Sequence, residues 1–338
     1  MNTKTNQADA PRVHERPTLY ILHENEGWIA GLLEELKILG VRYELWFIDN
    51  GVNGESVDWS QPPPEGVYFN RISCSSHTRD HPFSVRYTQV LLDWLELHGR
   101  RVVNGSQAFR LEVDKTLQYM LLGKEGILYP NTITCTDHAS ILDAVETWDP
   151  VMLKDNQGGS GSGVYRFTGR ETREVVEKHL AELNYPISPD GITLVQRYIS
   201  AAGKRINRVE LIGGDLVYRL SVDTSAGFNL CPAVSCEVEN CPLKAKGETF
   251  TVVEPLEPKI PSHLEDGCDG LISAYKAFSR RHGLHVVAFE YMVDSDGIPW
   301  TYDVNCNTNY NLAAEKRWGA EGYAFRRLAQ YLGSLCVL

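Results

Sequence analysis

Glu290 in VVAFEYMV, and Asp303 and Asn305 in PWTYDVN, are the residues whose types and spacing point most directly to chemistry. Carboxylates and amides are depleted from strands, yet these stand in runs that otherwise read as apolar and aromatic. The intervening SDGI predicts a four-residue hairpin loop that pairs Asp294 with Pro299, sets Glu290 opposite Asp303 and puts Asn305 further along the same face. Opposed carboxylates repel in an apolar sheet. A hard divalent cation such as Mg²⁺ relieves that repulsion, and the set leaves coordination positions for phosphate and water.

A second signal is the run Gly158, Gly159, Ser160, Gly161, Ser162, Gly163. Small residues let backbone amides close on phosphate oxygens, although Gly and Ser clusters also mark ordinary solvent loops. The run is not a P-loop, because Lys154 precedes the glycines and no Gly-Lys-Ser/Thr follows. It leads into the strand-like VYRF rather than a helix, which disfavours a dinucleotide fingerprint. The third signal is a group of cations, Lys115, Lys154, Arg208 and Arg219. Each alone reads as a surface charge. Together with the carboxylates and the glycine loop they supply what phosphoryl transfer requires.

The elements that must carry these residues alternate. LYIL, GWIAGLLEELKILG and YELWFID read as strand, helix and strand, the start of a βαβ unit. VYFNRIS, the helical SVRYTQVLLDWLELHG and RVVNG extend it. QAFRLEVDKTLQYMLL is helical, VMLKDNQGGSGSGVYRF reads as strand, loop and strand, and RVELIGGDLVYRLSVD as a hairpin around Gly213 and Gly214. The expected class is α/β with α+β elements. The segments are a flexible tail over 1–16, an α/β domain over 17–104, a subdomain with the glycine loop over 105–194, and one with the carboxylates over 195–338.

Taken in order, NGSQAFRLEVDKTLQYMLL with YPNTIT, VMLKDNQGGSGSGV, LVQRYIS and VVAFEYMVDSDGIPWTYDVNCNTNYN resemble the successive motifs of the ATP-grasp superfamily. The branch they are most similar to is that of the RimK-like and glutathione-synthetase-like ligases. The resemblance runs from about residue 104 to 311 and implies an ATP-grasp fold behind an N-terminal pre-ATP-grasp domain. It implies that Lys115 and Lys154 contact ATP phosphates under a lid formed by Gly158 to Gly163. Gln196, Arg197, Tyr198 and Ile199 would form the hinge that binds adenine. Glu290, Asp303 and Asn305 would hold Mg²⁺, as two ions, with Mn²⁺ an acceptable substitute. Arg208 matches the Arg of a DIRV-like strand and would face phosphate or a substrate carboxylate.

Two departures stand out. The metal carboxylates run Glu then Asp, where the family has Asp then Glu. Val222 and Asp223 lie where related ligases carry a late Arg, and Arg219, slightly earlier, is the candidate replacement. The implied reaction activates a carboxylate as an acyl phosphate and joins it to an amine, releasing ADP and phosphate. Small-molecule phosphorylation, or nucleotide-dependent regulation by a degenerate site, are the competing readings. Arg71, Arg79, Asn307 and Asn309 are candidate contacts to a small carboxylate or amine substrate, since Arg suits bidentate carboxylate recognition.

Composition narrows the partners. A formal net charge of -11 works against nonspecific binding to nucleic acid or an anionic membrane. No run of about 18 apolar residues suggests a membrane span, and the start lacks the apolar core of a secretory signal, so a cytoplasmic protein, with a homo-oligomer as a possible assembly, is expected. Eight scattered cysteines read as reduced thiols. Cys231, Cys236 and Cys241 recur at five-residue spacing, which is wider than zinc-ribbon pairs and leaves metal binding there an open alternative.

Overall fold

A computed structural model describes residues 17–49, 51–159, 161, 163–182, 188–223 and 267–337. The tail over 1–16, Ser160, Ser162 and the three cysteines Cys231, Cys236 and Cys241 lie outside these residues. Three four-stranded sheets follow one another along the chain.

The first sheet is parallel, in the order β2-β1-β3-β4, from β1 (Thr18–His23), β2 (Tyr43–Phe47), β3 (Gly66–Arg71) and β4 (Arg101–Val103), with α1 (Ala30–Ile38) and α2 (Ser84–Leu97) as crossovers. All six residues of β1 are buried, as a parallel strand covered on both faces requires. α3 (Ser106–Val113) and α4 (Lys115–Lys124) lead into the second sheet, β5-β8-β6-β7, built from β5 (Thr132–Cys135), β6 (Val151–Asp155), β7 (Val164–Phe167) and β8 (Thr193–Arg197), with α5 (His138–Ala144) and α6 (Thr172–Glu182). The expected segment boundary at 194/195 therefore falls inside β8, a strand of this sheet.

The third sheet has the order β10-β9-β11-β12, from β9 (Arg205–Ile212), β10 (Asp215–Asp223), β11 (Val286–Val293) and β12 (Pro299–Asn305), all antiparallel, with α7 (Gly267–Arg281) on one face. Val209, Leu211, Val287 and Phe289 pack that face against Tyr275 and Phe278. The chain ends in α8 (Leu312–Arg317) and α9 (Tyr323–Leu335), and α9 returns to α1, where Ala324, Leu328 and Leu332 share a core with Leu32, Leu36 and Ile21. No helix among the described residues is long and apolar enough to cross a membrane.

Two bulges set the faces of the third sheet. The hairpin between β11 and β12 pairs Val293 with Pro299, not Asp294 with Pro299, so the expected register starts one residue out. The reason is an Asx-type closure. Asp294 N–H donates to Ile298 O at 3.0 Å, and Asp294 Oδ1 accepts Asp296 N–H and Ile298 N–H, each at 2.9 Å. A bulge at Tyr302 restores the alignment, and Glu290 pairs with Asp303. In the β9–β10 hairpin, Gly213 and Gly214 take positive φ of 61° and 86°, as a tight two-residue turn demands. A bulge at Val217 then shifts β10 so that Leu220 faces Arg208 and Arg219 faces Val209.

Candidate active site

One cleft between the second and third sheets gathers most of the residues singled out from the sequence. Lys115, Lys154, Gly159, Gly161, Glu290 and Asp303 line it, with Gln196, Arg197, Tyr198 and Ile199 along its β8 side. Glu290 and Asp303 reach it from a cross-strand row of the third sheet that continues through Arg208 to Leu220. Cross-strand partners share a face, so Arg208, Glu290 and Asp303 project to one side, and Asn305, paired with Ala288, projects there too. Arg219 does not. The Val217 bulge puts it on the face of Val209, opposite the cleft, and the role expected for it as a replacement arginine fails on register.

Asp303 Oδ1 accepts a hydrogen bond from Lys115 Nζ at 2.8 Å. Burial alone would raise the Asp303 pKa, but the charges of Lys115 and Lys154 outweigh it and hold the carboxyl below its ordinary value. Burial likewise works to lower Lys115, and Asp303 prevails, keeping the ammonium protonated. Glu290 is ion-paired to Arg208 Nη1. Its pKa is raised by burial and by the charge of Asp303, against the opposing pull of Arg208. Lys154 differs from these groups, donating to Tyr119 OH at 2.9 Å and Tyr302 O at 3.3 Å with no carboxylate among its hydrogen-bond partners.

The donor set suits a hard divalent cation: two opposed carboxylates and the amide of Asn305 on one face, beside lysines that would take phosphate. Asn305 Oδ1 accepts Asn307 N–H at 2.9 Å and keeps a second lone pair. Among the described residues no cluster of three His, Cys, Asp or Glu side chains forms a metal site, so any ion here would rest on two carboxylates, amide oxygen, phosphate and water.

The glycine loop closes on its own stem, where Asp155 N–H donates to Gly163 O at 3.1 Å. It also rests on the first domain. Cys74 Sγ donates to Gly158 O and Gln157 Nε2 to Cys74 O, both at 3.3 Å. Gly163 has φ of 69°, and a Cβ there would run into the Asp155 carboxylate. Gly163→Ala is expected to spring the stem and weaken ADP binding about tenfold, roughly 1–2 kcal/mol, by calorimetry. An unchanged affinity would separate this stem from nucleotide binding.

Along the β8 side, Gln196 Nε2 donates to Thr132 Oγ1 at 2.8 Å, Arg197 N–H to Asn131 O at 2.8 Å and Tyr198 N–H to Pro150 O at 3.2 Å. These three are held by the sheet, while among the described residues the Ile199 N–H has no such partner. Arg166 lies over the Tyr198 ring at 5.1 Å.

The candidate substrate residues are differently engaged. Arg71, at the end of β3, is buried and donates to Asn307 Oδ1, Thr308 O, Trp28 O and Asn309 Oδ1. These four acceptors occupy its terminal N–H groups. Arg71, Asn307 and Asn309 therefore form a clamp between the first sheet and the loop after β12, rather than free substrate contacts. Arg79 pairs with Glu24 Oε1 at 2.5 Å, donates to Ser75 Oγ at 3.2 Å and stacks over Trp28 at 4.4 Å.

Sequence reading missed the residues that hold the carboxylate strand in place. β12 is an edge strand, and α3 and α4 satisfy its outer backbone. Gln118 donates to Val304 O at 2.8 Å and accepts Val304 N–H at 3.1 Å, and Glu112 accepts Cys306 N–H at 2.5 Å. Burial, opposed by the hydrogen bond from Cys306 N–H, leaves Glu112 raised to about 7. Asn104, at φ of 55°, binds Val286 O at 2.7 Å and Cys306 O at 2.8 Å. Asn156 accepts Thr116 N–H at 2.9 Å and so ties the start of α4, with Lys115, to the strand of Lys154. Such residues act through backbone groups brought from distant positions, and nothing in their local pattern announces that role.

A lysine- and carboxylate-lined cleft between two antiparallel sheets, covered by a glycine loop and preceded by a parallel α/β domain, defines the ATP-grasp fold. The solved RimK domain ATP-grasp protein of Sphaerobacter thermophilus has the same architecture, with a TM-score of 0.62 over 93% of this chain and 98% of that one at 18% identity. In sequence the chain is 30% identical to beta-citrylglutamate synthase B of Mus musculus over 132 residues, 38% of this chain and 32% of that protein. It is 28% identical to a probable alpha-L-glutamate ligase 2 of Pseudoalteromonas atlantica over 143 residues, 42% and 46% of the two chains. The chain thus spans less than half the length of each of these relatives. No family model matches it.

Proposed function

We propose that this protein is an ATP-dependent carboxylate–amine ligase that releases ADP and phosphate. The observation that carries this reading is the row Arg208, Glu290 and Asp303, whose two carboxylates line one cleft together with Lys115, Lys154 and the glycine loop. Adenine would meet the hinge at Ile199 N–H. Lys115 and Lys154 would bind the phosphates, and Arg208 the acyl phosphate. Glu290, Asp303 and Asn305 would hold divalent cations, which supply charge neutralisation of the triphosphate during transfer. Two carboxylates and an amide, together with phosphate oxygens and water, can complete the six oxygen ligands of one ion, and shared between neighbours they could serve a two-ion site that Mg²⁺ or Mn²⁺ could fill.

The chain's own work is positioning. Lys and Arg offset the charge that develops as a substrate carboxylate attacks the terminal phosphorus, and the amine then displaces phosphate from the acyl carbon. The glycine loop, seated on Cys74, would exclude water that otherwise hydrolyses the acyl phosphate. The substrates belong with small carboxylates and amino acids. Both sequence relatives carry glutamate in their names, which makes glutamate the first amine to test. The buried free thiols Cys74, Cys135, Cys306 and Cys336 suit a reducing, cytoplasmic setting.

The deciding assay measures ADP release with Mg²⁺ and ATP against pooled small carboxylates and amino acids, glutamate included, with product masses read alongside. ADP together with a condensed mass is the expected result. ADP with a phosphorylated mass would make the protein a small-molecule kinase. Nucleotide binding without turnover against a broad pool would favour a regulatory role.

A further inference from the structure

The two carboxylates proposed to hold the cation each already hold a cation of the chain. Glu290 is bonded to Arg208 and Asp303 to Lys115, the second pair at 2.8 Å. The Arg208 and Glu290 side chains are 2% and 9% exposed, so neither of that pair has bulk water as an alternative partner. Lys115 is as deeply placed, at 9%.

On the ligase reading above, we infer that the site loads by an exchange of partners. Glu290 and Asp303 release Arg208 and Lys115 to an anionic phosphate only as they accept a divalent cation. A cation arriving alone must break two buried pairs, which strands the Lys115 ammonium and takes Glu290 from Arg208 while Glu210 remains on it. A phosphate arriving alone strands the two carboxylates. When both arrive, every released charge finds a new partner, so each ligand strengthens the other by the same factor.

The neighbours of Arg208 allow it to change one partner without leaving its place. Its Nε donates to Glu210 Oε1 at 2.6 Å and its Nη2 to Thr308 Oγ1, and Thr308 is itself 2.9 Å from both Glu210 oxygens. Only the Nη1 edge faces Glu290. Glu210 is thus a positioning residue. It keeps the guanidinium anchored while that edge is handed over. Lys115 is anchored in turn through Thr116 N–H on Asn156.

The test is Mn²⁺ binding to the full chain, without nucleotide, followed by electron paramagnetic resonance in the wild type, Lys115→Met and Arg208→Met. Removing a competing cation is expected to tighten binding of Mn²⁺ alone about tenfold or more, and to shrink the mutual strengthening of Mn²⁺ and ADP by a similar factor, after correction for Mn²⁺ held by free ADP. If these cations were only structural, Mn²⁺ alone would bind equally or more weakly, and the exchange would be overturned. Should Arg208→Met fail to fold by circular dichroism, Lys115→Met, whose side chain lines the cleft, decides the matter. Failure of the wild type to bind Mn²⁺ even with ADP would instead overturn the ligase reading. Wild-type binding with ADP but no tightening in either variant would overturn the exchange alone.

Discussion

Asp303→Asn is expected to lower Mg²⁺-dependent ADP release by about a hundred- to a thousandfold while the protein stays folded. The substitution keeps the shape of the side chain and an oxygen acceptor for Lys115, which lies 2.8 Å from Asp303 Oδ1. It removes the charge that, with Glu290, would hold the cation. Alanine would be a poorer test. Lys115 and Asp303 are 9% and 22% exposed at their side chains, and stripping the carboxylate leaves a largely buried ammonium unpaired. That destabilises by about 3 kcal/mol, so lost activity could not be separated from lost fold. The measurement is initial-rate ADP release paired with thermal unfolding. Turnover within about fivefold of wild type at an unchanged melting temperature would remove Asp303 from the reaction.

Lys154→Met is expected to weaken ADP and ATP binding about 30- to 100-fold, with no loss of thermal stability or a small gain. The two directions follow from one feature. Lys154 is buried, donates to Tyr119 OH and Tyr302 O, and lies 5.6 and 5.8 Å from the centres of the Tyr119 and Tyr302 rings, with no carboxylate hydrogen-bonded to it. Its charge meets the Asp303 carboxylate through space and not through a hydrogen bond, so it adds little to the empty fold and is of most use to an anionic ligand. A methionine of similar length retains the packing of the stem. Calorimetric titration and thermal unfolding test both directions. A lysine that served only the fold would show the reverse: nucleotide affinity untouched and the melting temperature lowered.

Much of this site is legible along the chain because its parts are local. A run of glycines, lysines preceding it, and polar residues interrupting apolar strands are features of neighbouring residues. The glycine loop, Lys115, Lys154, Glu290 and Asp303 accordingly converge on one cleft. Arg71 marks the limit of such reading. As an arginine in a polar segment it resembles a carboxylate receptor, yet Asn307, Thr308, Trp28 and Asn309 take its terminal donors, and three of these partners lie more than two hundred residues away. Glu112, Gln118 and Asn104 were invisible for the same reason, since each serves the backbone of a remote strand.

The sequence by itself determined the order of elements, the glycine turn at Gly213 and Gly214, and the residue types available for phosphate and metal, because backbone preference and side-chain chemistry are properties of short segments. The tertiary structure decided which side chains share a face. Side chains alternate along a strand, so one inserted residue transfers everything beyond it to the other side. The bulge at Val217 takes Arg219 away from the cleft, and the bulge at Tyr302 brings Asp303 opposite Glu290. Tyr302 O is turned to Tyr119 and Lys154, and Asp294 Oδ2 accepts the indole N–H of Trp300 at 2.8 Å. The Asp294–Trp300 contact is local to the hairpin, but the partners of Tyr302 O come from α4 and β6, and no pattern within the hairpin alone contains them.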